Sequence, residues 1–235
     1  MVLLKRKEPM DFIGTIQGSW QLLLHGLGMT IAVSLIAIVA GTIIGFASCM
    51  MVLSRIWPLR WLAQAYVWVI RGTPMIVQAF IVYFGVPQLV RLFVQGFVIS
   101  PFAASTITLS INAGAYLSEI FRAGINAVDP GQVEAARSLG MSQGRTMMRI
   151  ILPQAVRITI PSLVNQFIIT VKDSSILSVI GLAEVVNKAK VYVGATYQFF
   201  ATYVLVAVYY LAFISLLMVV ARRLERRLNS DQGAN

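Results

Sequence analysis

Very little in this chain can hold a metal or a covalent framework. It has one cysteine, Cys49, and one histidine, His25. A lone cysteine excludes a disulfide scaffold and the paired-cysteine zinc motifs. A lone histidine excludes a multi-histidine metal site, so no metal and no cofactor is expected. Charge is scarce as well: 12% of the 235 residues are charged, against about a quarter in soluble domains. That leaves too little polar surface to cover a water-facing globule. Acidic residues are the rarest, nine against 19 basic, for a net charge of +10. Such a surplus is one footprint of nucleic-acid binding. In a membrane protein it marks cytoplasmic loops rich in Lys and Arg, and no nucleic-acid partner is expected. What the chain has in quantity is apolar sequence, 58% of residues with a mean hydropathy of +0.79. Those values exclude disorder and point to an integral membrane protein.

A hydrocarbon core about 30 Å thick takes about 20 apolar residues as helix. Windows without charge run over 26–54, 72–90, 92–118 and 191–221, and 158–183 joins them apart from Lys172-Asp173. This predicts an all-α integral membrane protein, one transmembrane domain over 1–235 with five spans, about 24–53, 73–91, 100–122, 152–180 and 197–222. Helices are expected because lipid forces each segment to satisfy its own backbone. The alternation of a barrel strand is absent. Lys5-Arg6-Lys7 is like the start of a signal peptide, but the apolar run after it begins late and is too long. Cys49 reads as a small core residue and His25 as a helix-interface residue.

Five spans put the chain ends on opposite sides. Lys and Arg outside the spans number eleven on the side of the C-terminus and six on the other. The positive-inside rule then predicts a cytoplasmic C-terminus and an external N-terminus, although Lys5-Arg6-Lys7 pulls the other way. Trp57, Trp61, Tyr66 and Trp68 cluster before Arg71, and Pro58 suits a first helical turn. A helix over 58–70, lying in or entering the membrane interface, follows, with a long second span starting near 60 as the alternative. Gly41-x-x-x-Gly45 allows close helix approach, which ordinary packing within the subunit explains.

The segment 129–153, DPGQVEAARSLGMSQGRTMMRIILP, follows the third span. Asp129 is a good N-cap and Pro130 suits the first turn. Val133, Ala135, Ala136 and Leu139 give a short apolar face. Gly140 sits where a helix ends in a left-handed residue, and Ser142 can cap a second helix running to Leu152-Pro153. Two short helices around a tight turn, about 129–150, are therefore expected on the cytoplasmic side. A helix-turn-helix has a similar core, but it needs a third helix and a soluble body, and here a span follows at once. A plain connection and a docking site for a cytoplasmic partner are the other two readings.

Glu134-Ala135-Ala136, Gly140, Ile150, Leu152 and Pro153 reproduce the pattern EAA-x3-G-x9-I-x-L-P at every fixed position. It is similar to the signature of permease subunits of bacterial ABC importers. Arg71-Gly72-Thr73-Pro74, the stretch from Ala115-Tyr116 through Glu119-Ile120 and Arg122 to Ile125, and Lys172-Asp173-Ser174-Ser175 resemble the polar amino-acid uptake branch, which handles His, Glu, Gln, Arg, cystine and opines. The resemblance runs from about residue 15 to 225. It implies the type I ABC importer permease fold in the bacterial inner membrane, two permease subunits per transporter, and two ATPase subunits bound at the cytoplasmic loops. It also implies a solute-binding protein outside. On it, Glu134, Ala135, Ala136, Gly140 and Pro153 belong to the segment that couples to the ATPase. Whether the second permease is identical or a paralogue stays open, as does the amino acid carried.

The chain is not expected to be an enzyme. The phosphate-binding pattern G-x4-G-K-[ST] is absent, and no nucleophile–base pair is visible. Ionisable residues at membrane depth are costly and commonly face an aqueous path. Lys172 and Asp173 fall inside the fourth span, Arg71 precedes the second and Glu119 ends the third. An amino acid needs a cation for its carboxylate and an acid for its ammonium group. Arg71 and Asp173 fit those roles, with Ser174 and Ser175 as hydroxyl partners. Asn112 and Tyr116, four apart, fall on one helix face, and Glu119 and Arg122, three apart, can pair with each other. Lys172 is read as structural. A standalone secondary transporter or channel is the alternative class, against which the short chain and the lack of an internal repeat speak. A non-transporting scaffold is a third, against which the buried ionisable groups speak.

Overall fold

The computed structural model describes residues 11–230, with side chains through Arg223. The expected basic run Lys5-Arg6-Lys7 and the terminus at Asn235 lie outside the described residues. Every regular element described is helical. The first, α1 (Phe12–Val52), starts at Asp11, whose carboxylate accepts the Gly14 N–H at 2.8 Å. The helix thus begins well ahead of the expected span start near 24, and Asp11 as an N-cap is the sequence signal for it. At about 1.5 Å per residue α1 is roughly 60 Å long, about twice the hydrocarbon thickness.

Helix α2 (Trp57–Gly72) carries Pro58 in its first turn and covers the expected interface segment. Ala63 and Val67 face inward, and Trp57, Trp61 and Trp68 are exposed. Thr73 is then extended at φ −119° and ψ 143°, the conformation the following Pro74 imposes. Helix α3 (Met75–Val90) leaves at 107° to α2. The expected span 73–91 is therefore one arm of a bent pair. Helix α4 (Pro101–Asn126) starts from Ser100, which accepts the Ala103 N–H at 3.2 Å.

Helix α5 (Pro130–Ser138) is followed by α6 (Gln143–Ile180), in which the expected second short helix from Ser142 and the expected span from 152 run on as one. Helix α7 (Val185–Thr196) lies where only a connection was expected, and α8 (Phe199–Ser230) continues past the expected end at 222. Val185, Ala189 and Val193, four apart, form the buried face of α7. That period was available in the sequence. Two π-helical turns, Ile81–Gly85 and Met147–Ile151, each sit just ahead of a proline, Pro87 and Pro153. Proline has no N–H and its ring clashes with the carbonyl four residues back, so the helix widens there.

Phe12–Val52, Gln143–Ile180 and Phe199–Arg223 are long and apolar enough to cross a membrane, and α2 with α3 makes a fourth if the bent pair is one span. Helix α4 is long enough but too rich in Ser, Thr, Asn and Gly to qualify by composition. The reason is its place in the middle of the bundle, with 13 of its 26 residues buried. Its largest interface is with α1. A Cβ on Gly45 would stand 2.7 Å from the Leu117 Cβ and 2.8 Å from the Gly114 carbonyl, and one on Gly41 3.0 Å from the Ala113 Cβ. The glycine pair is thus internal packing, as expected. Val33, Ala37, Ala79, Leu109 and Leu177 form one core cluster, and Cys49, Ala113, Leu117 and Phe121 a second. Cys49 is fully buried, as read, whereas His25 is exposed on α1 and not at an interface within the chain.

Candidate functional site

The break between α2 and α3 leaves backbone carbonyls that a helix would have used. Gln78, a buried amide in an otherwise apolar turn, answers them. Its Nε2 donates to the Ile70 carbonyl at 2.7 Å, to the Thr73 carbonyl at 3.1 Å and to the Thr73 hydroxyl at 2.9 Å. Its Oε1 accepts from Asn112 Nδ2 of α4 at 3.1 Å. Asn112 and Gln78 thereby lock the bend onto the central helix. The sequence signal for Gln78 is an amide inside an apolar stretch, a signal it shares with Gln88.

At the bend Arg71 reaches across to α4. Its Nη1 is 3.6 Å from Glu119 Oε2, and its guanidinium carbon lies 5.3 Å from the centre of the Tyr116 ring. Arg122 Nη2 donates to the same Glu119 oxygen at 2.7 Å. The expected Glu119–Arg122 pair exists and Arg71 joins it. All three side chains keep a third or more of their surface exposed, so the contacts are solvated and weak. They line a cavity of 610 Å³ together with Gln64, Trp68 and Tyr116. One carboxylate faces two guanidiniums, so this wall is cationic.

Tyr116 also lines a second cavity, of 430 Å³, with Thr73, Asn112, Gln166, Asp173 and Ile176. Asp173 is its charged group, so this wall is anionic. Five of the expected path residues, Arg71, Asn112, Tyr116, Glu119 and Asp173, are brought together in the two cavities. Gln166, 5% exposed, is a further polar lining residue with no motif to mark it in the sequence. Ser174 and Ser175 line neither cavity. Ser174 is fully buried and donates to the Val171 carbonyl at 2.8 Å, and Ser175 donates to the Lys172 carbonyl at 2.6 Å. Lys172 is exposed and makes no ion pair among the described residues. A pair of adjoining cavities of opposite sign is suited to a solute bearing both charges.

On α5 the turn is built as its residues demand. Asp129 accepts the Gly131 N–H at 2.7 Å. Gly140 takes φ +81°, with its N–H on the Arg137 carbonyl and that of Met141 on the Ala136 carbonyl. These two bonds are the Schellman end of a helix. Arg137 Nη1 adds a bond to the Met141 carbonyl at 2.7 Å, and Ser142 caps α6 through the Arg145 N–H. Ala136 is buried; Glu134, Ala135, Gly140 and Pro153 are exposed. Leu139, read as part of the short apolar face of α5, is 84% exposed. The turn therefore offers a rigid, partly apolar surface.

A helical bundle with a bent helix pair, charged, partly open cavities and a capped exposed helix pair has the parts a membrane transport subunit needs. The chain belongs to the binding-protein-dependent transport system inner membrane component family, whose model matches residues 37–230. It is 38% identical over 222 residues to the arginine transport system permease protein ArtQ of Bacillus subtilis, covering 94% of this chain and 99% of that one. It is 38% identical to the L-cystine transport system permease protein TcyB of the same organism, covering 94% and 92%. It is 36% identical to the putative glutamine transport system permease protein GlnP of Rickettsia bellii, covering 88% and 92%. Among solved structures, an amino acid ABC transporter crystallised with histidines superposes with a TM-score of 0.88 at 38% identity, covering 94% of this chain and all of that one. The MetNI methionine transporter shares the fold at a TM-score of 0.74 and 18% identity. The all-helical architecture is that of the type I ABC importer permease, as expected. The chain is a multi-pass protein of the inner membrane.

Proposed function

We propose that this chain is the permease subunit of an ATP-driven importer for polar amino acids. The observation that carries the reading is the cationic cavity of Arg71, Glu119 and Arg122 meeting the anionic cavity of Asp173 at Tyr116. An α-amino acid presents a carboxylate to the first and an ammonium group to the second. Relatives named for arginine, cystine and glutamine transport support the solute class. The chain works with a second permease subunit, identical or paralogous, and takes solute from an external binding protein. Helix α4 makes the fifth span, shielded from lipid by its neighbours. The C-terminus is cytoplasmic and the N-terminus external.

ATP is hydrolysed by separate ATPase subunits. They seat the α5 turn with Glu134, Ala135 and Ala136, fixed by Gly140, while Pro153 sets the widened base of α6. A capped helix transmits a rigid-body movement where a flexible loop would absorb it. Proteoliposomes holding the permease, its ATPase and its binding protein should take up labelled arginine, glutamine or cystine only with ATP inside the ATPase compartment. Uptake that persists without the ATPase subunit would mean a standalone transporter instead.

A further inference from the structure

We propose that Glu184 is a positioning residue, which with Tyr210, Asn187 and Lys190 latches the 3-10 segment Ser174–Ile180 and so sets where Asp173 and Ile176 meet the smaller cavity. The cavity's role in transport rests on the function proposed above; the latch itself does not.

Glu184 is completely buried, beyond the end of α6 and ahead of α7. A carboxylate in such a place is costly unless donors surround it. Here Oε2 accepts the Val186 N–H at 2.8 Å and Oε1 the Asn187 N–H at 2.7 Å, which caps α7. Serine or aspartate would cap as well. The longer glutamate also accepts the Tyr210 hydroxyl of α8 at 3.1 Å. One carboxylate thus ties the start of α7 to the middle of α8. Burial pushes its titration upward, opposed by these donors and by the nearby Lys190.

Helix α7, once capped, reaches back to the 3-10 segment. Lys190 Nζ donates to the Ser178 hydroxyl at 2.8 Å and Asn187 Nδ2 to the Ser178 carbonyl at 3.4 Å. Gly26 of α1 presses on the Val185 backbone, where a Cβ would stand 2.8 Å away, so α7 cannot slide. The segment it holds directly follows Asp173, and Ile176 within it lines the cavity. Leu177 and Ser178, next along, are buried. A 3-10 stretch has poorer hydrogen bonds than an α-helix and marks a place that can rewind. Without the latch it would rotate, turning Leu177 out and Ile176 away.

Cysteine labelling tests this on the assembled complex, because native Cys49 is fully buried. In an otherwise unchanged chain, Ile176→Cys should react with a water-soluble methanethiosulfonate and Leu177→Cys should not. Adding Tyr210→Phe, which keeps the ring, or Glu184→Gln, which keeps the shape, should speed labelling of Leu177→Cys by about ten-fold, as expected for a local opening. In proteoliposomes the same two variants should raise the uptake KM for arginine or glutamine about five-fold with kcat within about two-fold. Glu184→Asp should fall between them and the unchanged chain. An unchanged labelling pattern in both Tyr210→Phe and Glu184→Gln overturns the latch. Altered labelling with an unchanged KM overturns its link to the cavity. If the unchanged complex carries none of these amino acids, the transport reading fails while the labelling still decides the latch.

Discussion

Gly140 is the clearest case of a residue whose chemistry is its lack of a side chain. At φ +81° an alanine Cβ meets no neighbour, so the whole cost is backbone strain. That strain is about 1 kcal/mol. Gly140→Ala should therefore leave membrane insertion intact but loosen the turn, lowering the amount of ATPase that copurifies or the uptake rate. Normal values for both would remove Gly140 from the coupling surface. Asp173 is the opposite case, a charge placed against a cavity. Asp173→Asn keeps the shape and removes the charge, and a hydrogen bond to a charged group is worth about 1.5–3 kcal/mol. Uptake of the natural solute should fall about ten-fold or more by that measure, with expression and complex yield unchanged. Transport at the unaltered rate would move the ammonium partner to Glu119.

Between α1 and α4 the packing leaves no room at Gly45. Its missing Cβ would stand under 3 Å from both Leu117 and the Gly114 carbonyl, one of them backbone. Gly45→Ala should force the two helices apart at a cost of about 1–3 kcal/mol. The complex in detergent should melt lower and be recovered in smaller yield. Gly28, on the same helix with nothing within 4 Å of its would-be Cβ, is the control. Gly28→Ala should change stability by less than about 0.5 kcal/mol, or stabilise α1 slightly. Equal melting of the two variants would show that α1 and α4 do not depend on this contact. The bent pair of α2 and α3 is held differently, by Gln78 and Asn112 across a gap that proline opened.

For the molecule as a whole, the helix order puts the α5 turn and the loop after α3 at opposite ends of α4. Leu139 is 84% exposed in the first and Phe93 88% exposed in the second. Membrane-impermeant thiol reagents on intact cells should label Phe93→Cys from outside. Leu139→Cys should react only after the membrane is opened. Labelling of both from one side would refute α4 as a span. Asn235→Cys should label under the same conditions as Leu139→Cys, which the surplus of arginine on that side predicts.

Much of this protein follows from sequence without any fold. Apolar run length compels membrane helices, because lipid offers the backbone no partner. The α5 turn is local too: Asp129, Pro130, Gly140 and Ser142 act through neighbours a few residues away, so their roles can be read from spacing. Asp11 and the 185, 189, 193 period could have been read in the same way. Other features depended on contacts between segments far apart. The window without charge over 92–118 points to a span at α4 but does not show that it is central and that its small polar residues pack on α1. Tyr116 and Glu119 share a helix and Arg71 lies about 45 residues before them, so only the bend at Thr73-Pro74 brings Arg71 to α4. Ser174 stands next to Asp173, yet it is turned into the core while Asp173 faces the cavity, since residues about 100° apart on a helix meet different neighbours. Glu184 was silent in sequence, because its partners Tyr210 and Ser178 come to it only through the packing of α7 and α8.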